Sequence, residues 1–306
     1  MRDQDHTKMP EGRDLLFLLA GIMGIGTSGP VIALSVMPIL ALVFWRNLGG
    51  ALLIAPFALR SYRRMKGREF EGFKRGVIWS IVAGITLAAH FIFFFASMRL
   101  TSVAAGTALT ALQPIFAAFI VTRLGGHIPQ RAWTGMVISF AGVLVITGVD
   151  FQISFQAFLG DIAAIICAAL AAAYVILGSR AQQYLSTSLY TATCYATCSF
   201  VALVVALVSG EKISGFPKRE WLLLLALIAG AQILGHTMFN MTLPRVSPAI
   251  VSLIVFFEVP VSALLAWWWI GQLPPSGIIP GVLLLLAGCV IFVIRNRNQR
   301  ETSDVD

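Results

Sequence analysis

The sequence predicts an all-α membrane protein of ten transmembrane helices, arranged as two inverted five-helix repeats with a site between them. Three observations carry this. The 306 residues are 58% hydrophobic and only 12% charged, where a soluble globular chain holds about a quarter charged residues, and mean hydropathy is +0.85. The apolar residues fall into ten runs, each near the ~20 residues a helix needs to cross hydrocarbon. The chain also aligns with itself, without a gap, at a shift of 146 residues: positions 83–148 give 12 identities in 66. The matched pairs include His90 with His236, Arg99 with Arg245, Pro114 with Pro260, and Gly135 and Gly142 with Gly281 and Gly288. Two related apolar halves, 1–150 and 151–306, place a site between them.

The spans follow in order. Span 1 (14–34) is too long for a signal-peptide core and lacks a small-x-small exit, so it is read as retained. Its Gly21, Gly24, Gly26, Gly29 and Pro30 make it thin and bendable. Span 2 (37–59) holds Trp45 and Arg46 and ends at a basic run from Arg60 to Arg75. Span 3 (76–98) carries His90. Span 4 (102–122) is Ala-rich and is expected to break at Pro114, freeing carbonyls where a cavity could be lined. Span 5 (132–149) has Gly135 and Gly142 on one face. Span 6 (158–178) is opened by Asp161, a carboxylate suited to the helix dipole. Span 7 (188–209) holds Cys194 and Cys198 at i, i+4, read as small core residues. Span 8 (220–241) carries Gln232, His236 and Asn240. Span 9 (247–270) holds Glu258 mid-way, breaks at Pro260 and ends on Trp267, Trp268 and Trp269. Span 10 (277–294) repeats the glycine pair as Gly281 and Gly288, predicting close packing of spans 5 and 10. Polar tails at 1–13 and 295–306 are expected to be mobile.

Lys and Arg set the orientation. With the N-terminus in the cytoplasm, 17 lie inside and four outside, and Arg46 lies within a span. Both termini are therefore expected inside, in a multi-pass protein of the cell membrane. Five spans per half is an odd number, so the second half enters from the opposite side and the repeat is inverted.

Composition and motifs narrow the chemistry. The net charge of +8 comes from residues flanking apolar spans, not from a nucleic-acid patch. The four cysteines form no CxxC pair, so no metal or disulfide framework is indicated. No phosphate-binding Gly loop, metal-ligand spacing or nucleophile triad is present, so no cofactor is expected.

The chain resembles the drug/metabolite transporter superfamily, in particular its EamA-type ten-helix members. The resemblance rests on Arg99-Leu-Thr-Ser-Val-Ala leading to Gln113-Pro114, Gly125, Pro129, Gly135 and Ala141-Gly142. Its second copy is Arg245-Val-Ser-Pro leading to Phe257-Glu258-Val259-Pro260, Gly271, Pro275, Gly281 and Ala287-Gly288. Phe44-Trp45-Arg46 adds to it. The resemblance implies a central cavity, alternating access and transport of a small metabolite, often efflux of amino acids or related compounds.

Ionisable groups deep in a span cost on the order of 3 kcal/mol or more and face the interior. Glu258 could bind a substrate amine, carry a coupling proton, or be a structural anchor. Its repeat partner is Leu112, so the site is asymmetric. Arg46 cannot practically lose its charge and needs an anion: a substrate carboxylate, Glu258, or exposed carbonyls. His90 and His236 are candidates for a gate or relay, and inverted symmetry is expected to place them at opposite depths. Gln113, Gln232 and Asn240 add neutral polar groups, while Tyr174 and Tyr195 could line a cavity. Trp45, Phe91, Phe93, Phe94, Phe95 and Phe257 could give that cavity apolar walls. Pro30, Pro114 and Pro260 are candidate gating breaks.

Two functions from different classes fit these residues. One is a secondary transporter for a small amphipathic metabolite such as an amino acid, working outward and coupled to protons, its partners being that solute and the bilayer. The other is an intramembrane enzyme using Glu258 with His90 or His236 on a lipid. That second reading requires acid and base groups converging near one interface, and opposite histidine depths would count against it. A channel would call for a ring of charge or a filter-like run, and neither is present.

Overall fold

The computed structural model describes residues 12–65, 68–123, 133–242 and 255–303. Gly125, Pro129, Arg131, Arg245 and residues 247–254 of span 9 lie outside them. Every regular element among the described residues is helical. Span 1 is two helices, α1 (Gly12–Gly26) and α2 (Ser28–Leu34). Span 2 is α3 (Ile39–Arg64) and span 3 is α4 (Arg68–Leu100). Span 4 is again divided, into α5 (Val103–Thr110) and α6 (Gln113–Arg123). Spans 5, 6 and 7 are α7 (Trp133–Ile153), α8 (Phe155–Ala181) and α9 (Thr187–Val208). Span 8 runs through α10 (Lys218–Leu227), a π-helix (Ile228–Thr237) and α11 (Met238–Thr242). The second part of span 9 is α12 (Glu258–Ile270), and span 10 enters by a short 3₁₀ turn into α13 (Ile279–Ser303).

Eight of these spans are long and apolar enough to cross a membrane alone, and Ser276–Phe292 supplies a shorter apolar tenth. Outward-facing side chains are themselves apolar, Leu16, Phe57, Val137, Phe140 and Phe200 each more than half exposed, which suits a lipid surrounding. Several helices outrun the expected spans. Span 2 reaches Arg64 and the last helix reaches Ser303, so 295–303 is helical. Backbone hydrogen bonding continues past the apolar core because a helix also persists in the interfacial layer. Serines at the edges fix helix starts: the Ser102, Ser154 and Ser186 hydroxyls accept from the amides of Ala105, Ala157 and Leu189, as N-caps do.

The contacts are those of a two-fold. Span 3 packs on span 6 and span 1 on span 8, which are one contact exchanged between repeats. Spans 2 and 7, 4 and 9, and 5 and 10 pair with their own repeat mates, so the axis runs through those interfaces. The turns at 35–38, 99–102, 150–154, 217–220 and 271–276 gather at one end, joined by Ser35 with Glu220, Arg99 with Met37, Gly160 with Thr101 and Val103 with Gln272. At the other end Gly72 meets Tyr184 and Ser61 meets Ser188. The first repeat starts at the Tyr184 end and the second at the Thr101 end, so the repeats are inverted.

The 5–10 contact is backbone on backbone. A methyl on Gly142 would meet the Leu285 amide and Gly281 carbonyl at 2.5 and 2.6 Å, and one on Gly135 would meet the Phe292 amide at 2.5 Å. The paired glycines therefore set the distance between these helices.

The three broken spans pack on one another. Span 1 breaks at Thr27, whose hydroxyl donates to the Gly24 carbonyl at 2.7 Å, and Pro30 is the third residue of α2. Spans 4 and 9 break just before their prolines, at Ala111-Leu112 and Phe256-Phe257. Pro114 and Pro260 then sit in the first turn of α6 and α12, where a missing amide hydrogen costs nothing. Each proline thus starts a new half-helix.

Candidate functional site

A fully buried polar cluster lies between the repeats, built from spans 2, 3, 7 and 8. Arg46 on α3 is fully buried. Its Nε donates to Gln232 Oε1 at 2.6 Å. Gln232 Nε2 donates to Asn47 Oδ1 at 3.2 Å, and Asn47 Nδ2 to the Val43 carbonyl at 2.8 Å. The guanidinium lies over the Phe91 ring at 4.1 Å and beside Phe95 at 5.7 Å. Stacking covers its face and leaves its edge, and both terminal nitrogens, Nη1 and Nη2, are buried without a hydrogen-bond partner.

Span 8 shapes this cluster through its π-helix. A run of i→i+5 bonding is rare and occurs mostly at functional sites. Here the Thr237 hydroxyl donates to the Gln232 carbonyl at 2.9 Å and meets the Tyr195 hydroxyl at 3.4 Å. Gln232 is thereby held from both its backbone and its side chain, aimed at Arg46. One turn on, Asn240 Oδ1 accepts from the Tyr174 hydroxyl at 3.3 Å, while its Nδ2 is buried without a partner.

His90 and His236 meet. Their ring centroids are 6.5 Å apart at 73°, and both contact Phe91, at 5.1 and 5.3 Å. His90 Nδ1 lies 3.1 Å from the Cys167 carbonyl oxygen and 3.2 Å from its sulfur. The expectation of opposite depths is therefore wrong. His90 stands ten residues before Leu100, about 15 Å along the helix and about half the ~30 Å hydrocarbon thickness. Counting from Lys218 exaggerates the depth of His236, because span 8 starts on the charged residues Lys218, Arg219 and Glu220 and its π-helix rises less per residue. Symmetry mates close to the axis come together.

Glu258 is half-buried as the first residue of α12. Arg46 is the charge that acts on it, yet no ion pair joins them among the described residues, where Arg219 with Glu220 is the pair seen. Nor does Glu258 share a hydrogen bond with either imidazole there.

Other candidates lie elsewhere. Trp45 points away from Arg46: its Nε1 donates to the Ile213 carbonyl at 2.6 Å and its ring meets Trp221 edge-on at 5.2 Å. Adjacent helix positions diverge by about 100°, which separates the two side chains. Phe257 is 61% exposed and forms no wall. Gln113 is half-buried at the head of α6 and takes no part in the Arg46 network. Phe94 stacks on His90 at 6.1 Å. The four cysteines are buried and free.

Sequence reasoning missed Asn47, Thr101, Asp150 and Glu220. Asn47 had a signal, a polar residue beside Arg46 inside a span. Asp150 and Thr101 fell at drawn span ends, where polar residues are ordinary. Glu220 is 1% exposed, and its Oε2 accepts from the Ser35 hydroxyl at 2.6 Å and the Val36 and Met37 amides at 3.0 and 3.1 Å. Arg99 donates to the Ser35 and Met37 carbonyls at 3.1 and 2.5 Å. One residue from each repeat thus holds the turn between spans 1 and 2.

A family model described as the EamA-like transporter family matches residues 13–148 and again 158–294. The chain belongs to the EamA-like transporter family. It is a multi-pass membrane protein and a membrane transporter by membership, its family matching once on each repeat. It is 23% identical over 271 residues to a Bacillus subtilis (strain 168) protein named uncharacterized transporter YxxF, covering 86% of this chain and 84% of that one. A solved structure titled only as the crystal structure of a protein aligns with a TM-score of 0.65 at 19% identity, over 94% of this chain and 99% of its own. That likeness shows the fold alone.

Proposed function

We propose that the protein is an alternating-access secondary transporter that exports a small amphipathic metabolite carrying a carboxylate, an amino acid or close relative, across the cell membrane. The observation that carries this is Arg46: a fully buried guanidinium with Nη1 and Nη2 unpartnered. Leaving such donors unmet costs about 1–3 kcal/mol or more, and the planar fork is matched to a carboxylate. Glu258 lies within electrostatic reach of Arg46 without forming an ion pair. A zwitterion satisfies both, its carboxylate on Arg46 and its ammonium toward Glu258, with its apolar part against Phe91 and Phe95. Glu258 also carries the coupling proton when no ammonium occupies it.

The position on the two-fold supports alternating access, since a site on the axis is equally placed toward both sides as the repeats rock. The broken spans 1, 4 and 9 supply bendable segments beside it. Both termini face the cytoplasm by the Lys and Arg distribution. Export is the direction that the family resemblance implies. The test is a solute-resolved uptake and efflux panel in reconstituted vesicles. Movement of carboxylate-bearing amphiphiles in preference to neutral analogues is expected, and a panel moving only neutral or cationic solutes defeats the reading.

The enzyme reading gains one point, since the imidazoles do converge. They do so mid-bundle beneath Arg46, without a hydrogen bond to Glu258 among the described residues, which leaves no acid–base pair set at a membrane face.

A further inference from the structure

Away from the central cluster, a second buried polar group joins the repeats at the Thr101 end. Asp150 closes span 5 of the first repeat and is 2% exposed; Asp161, on span 6 of the second, is 0% exposed. Thr101, at the turn between spans 3 and 4, donates its hydroxyl hydrogen to Asp150 Oδ2 at 2.6 Å. Asp161 was expected to open span 6 and complement its dipole. Its helix starts at Phe155, so Asp161 stands nearly two turns in, beyond the reach of that effect, and faces Asp150 and Thr101 instead.

The second observation concerns Asp161 itself. Both of its carboxylate oxygens are buried, and the one hydroxyl hydrogen beside them, that of Thr101, is already given to Asp150. Among the described residues no cation answers it. On span 3, Arg99 sends its guanidinium to the Ser35 and Met37 carbonyls, and His90 lies ten residues deeper against Cys167 of span 6. Arg219 turns to Glu220, and α5 has no ionisable residue. Arg123 ends α6 at the opposite end of the bundle. The first charged residue of α13, Arg295, also lies at that opposite end. Asp150 is the charge that acts on Asp161. The contact is enforced, because Gly160 lets α8 close onto the Thr101 backbone where a methyl would collide.

Two neighbouring carboxylates out of water cannot both keep full charge without something between them. A hard cation takes about six oxygens, and no group of three or more His, Cys, Asp or Glu stands ready for a metal among the described residues. A proton needs only the two carboxyls. We propose that Asp150 and Asp161 hold one exchangeable proton between them, and that this shared proton fastens the first repeat to the second at the Thr101 end. Losing it sets two negative charges against each other across spans 5 and 6, loosening that end of the bundle. The site is separate from Arg46 and Glu258 and does not depend on which solute is carried.

The test is infrared difference spectroscopy, near-neutral against alkaline, on the full chain in phosphatidylethanolamine/phosphatidylglycerol vesicles. A protonated-carboxyl band is expected in the wild type and in Glu258→Gln, shifting when aspartate carboxyls carry ¹³C. It should vanish in Asp161→Asn and equally in Asp150→Asn, because the amide hydrogens then satisfy the remaining carboxylate. The wild-type label keeps the test decisive if a variant does not fold. Absence of an aspartate-labelled band, its survival in either variant, or its removal by sodium at constant pH would each overturn the shared proton, the last by showing a metal cation in its place.

Discussion

The His90 and His236 imidazoles, symmetry mates 146 residues apart, meet edge to face with centroids 6.5 Å apart. Phe91 touches both, and Arg46 lies over Phe91. The axis relating the repeats therefore passes close to the arginine. If the imidazole contact is a true coupling, a double-mutant cycle of His90→Asn and His236→Asn should return about 0.5–1.5 kcal/mol of interaction. Denaturant unfolding of the reconstituted protein measures it, and strict additivity would count against the contact.

Arg46→Lys keeps the charge but loses the fork and the Nε bond to Gln232. A charge-assisted hydrogen bond is worth about 1.5–3 kcal/mol, so KM for a carboxylate-bearing solute should rise roughly 10- to 100-fold. Initial rates in vesicles over a concentration series give the value. An unchanged KM would mean that the guanidinium is only structural.

Glu258→Gln tests coupling. Proton exchange at this carboxyl predicts wild-type transport that varies with external pH and a variant whose residual transport does not. Retention of the full pH dependence in the variant removes Glu258 from the coupling step.

The glycine interface between spans 5 and 10 should tolerate no methyl. Gly142→Ala brings a methyl against the Leu285 backbone, and overpacking costs about 1–3 kcal/mol. Gly148→Ala, with open space around it, serves as the control and should be neutral or gain about 0.5–1 kcal/mol from better helix propensity. Thermal unfolding in detergent compares the two.

Removing the Glu220 carboxylate leaves the Val36 amide without its acceptor and the Met37 amide with the Ser35 hydroxyl alone. Glu220→Ala should destabilise the protein by about 2–3 kcal/mol and speed hydrogen exchange at those two amides above all. Exchange unchanged at Val36 and Met37 would show that another group holds the turn.

The parts legible in sequence were those that repeat or that pay a cost in lipid. Paired glycines announced the 5–10 contact, and Pro114 with Pro260 announced two breaks, since each has a mechanical reason to be where it is. The break at Thr27 was harder to place, because Gly21 to Pro30 offers several weak points and tertiary packing against spans 8 and 9 chooses among them. Arg46 and Glu258 stood out as charges inside apolar runs. Depth was not legible: residue counts along tilted helices, one with a π-helical segment, do not convert to height, and the histidines were misplaced for that reason. Trp45 turns away from Arg46 toward Ile213 and Trp221 because neighbouring positions on a helix face different ways. Asp150, Thr101 and Glu220 stayed hidden because polar residues at span ends are ordinary until a neighbouring helix buries them.

The central claim is that Arg46 receives a carboxylate between the repeats. The most direct measurement is counterflow in vesicles with matched pairs of solutes, each amino acid against its carboxamide, in the wild type and in Arg46→Gln. The wild type should prefer the carboxylate by about tenfold or more, and the variant should lose that preference while still folding. Equal transport of acid and amide by the wild type, or an undiminished preference in the variant, would contradict the account.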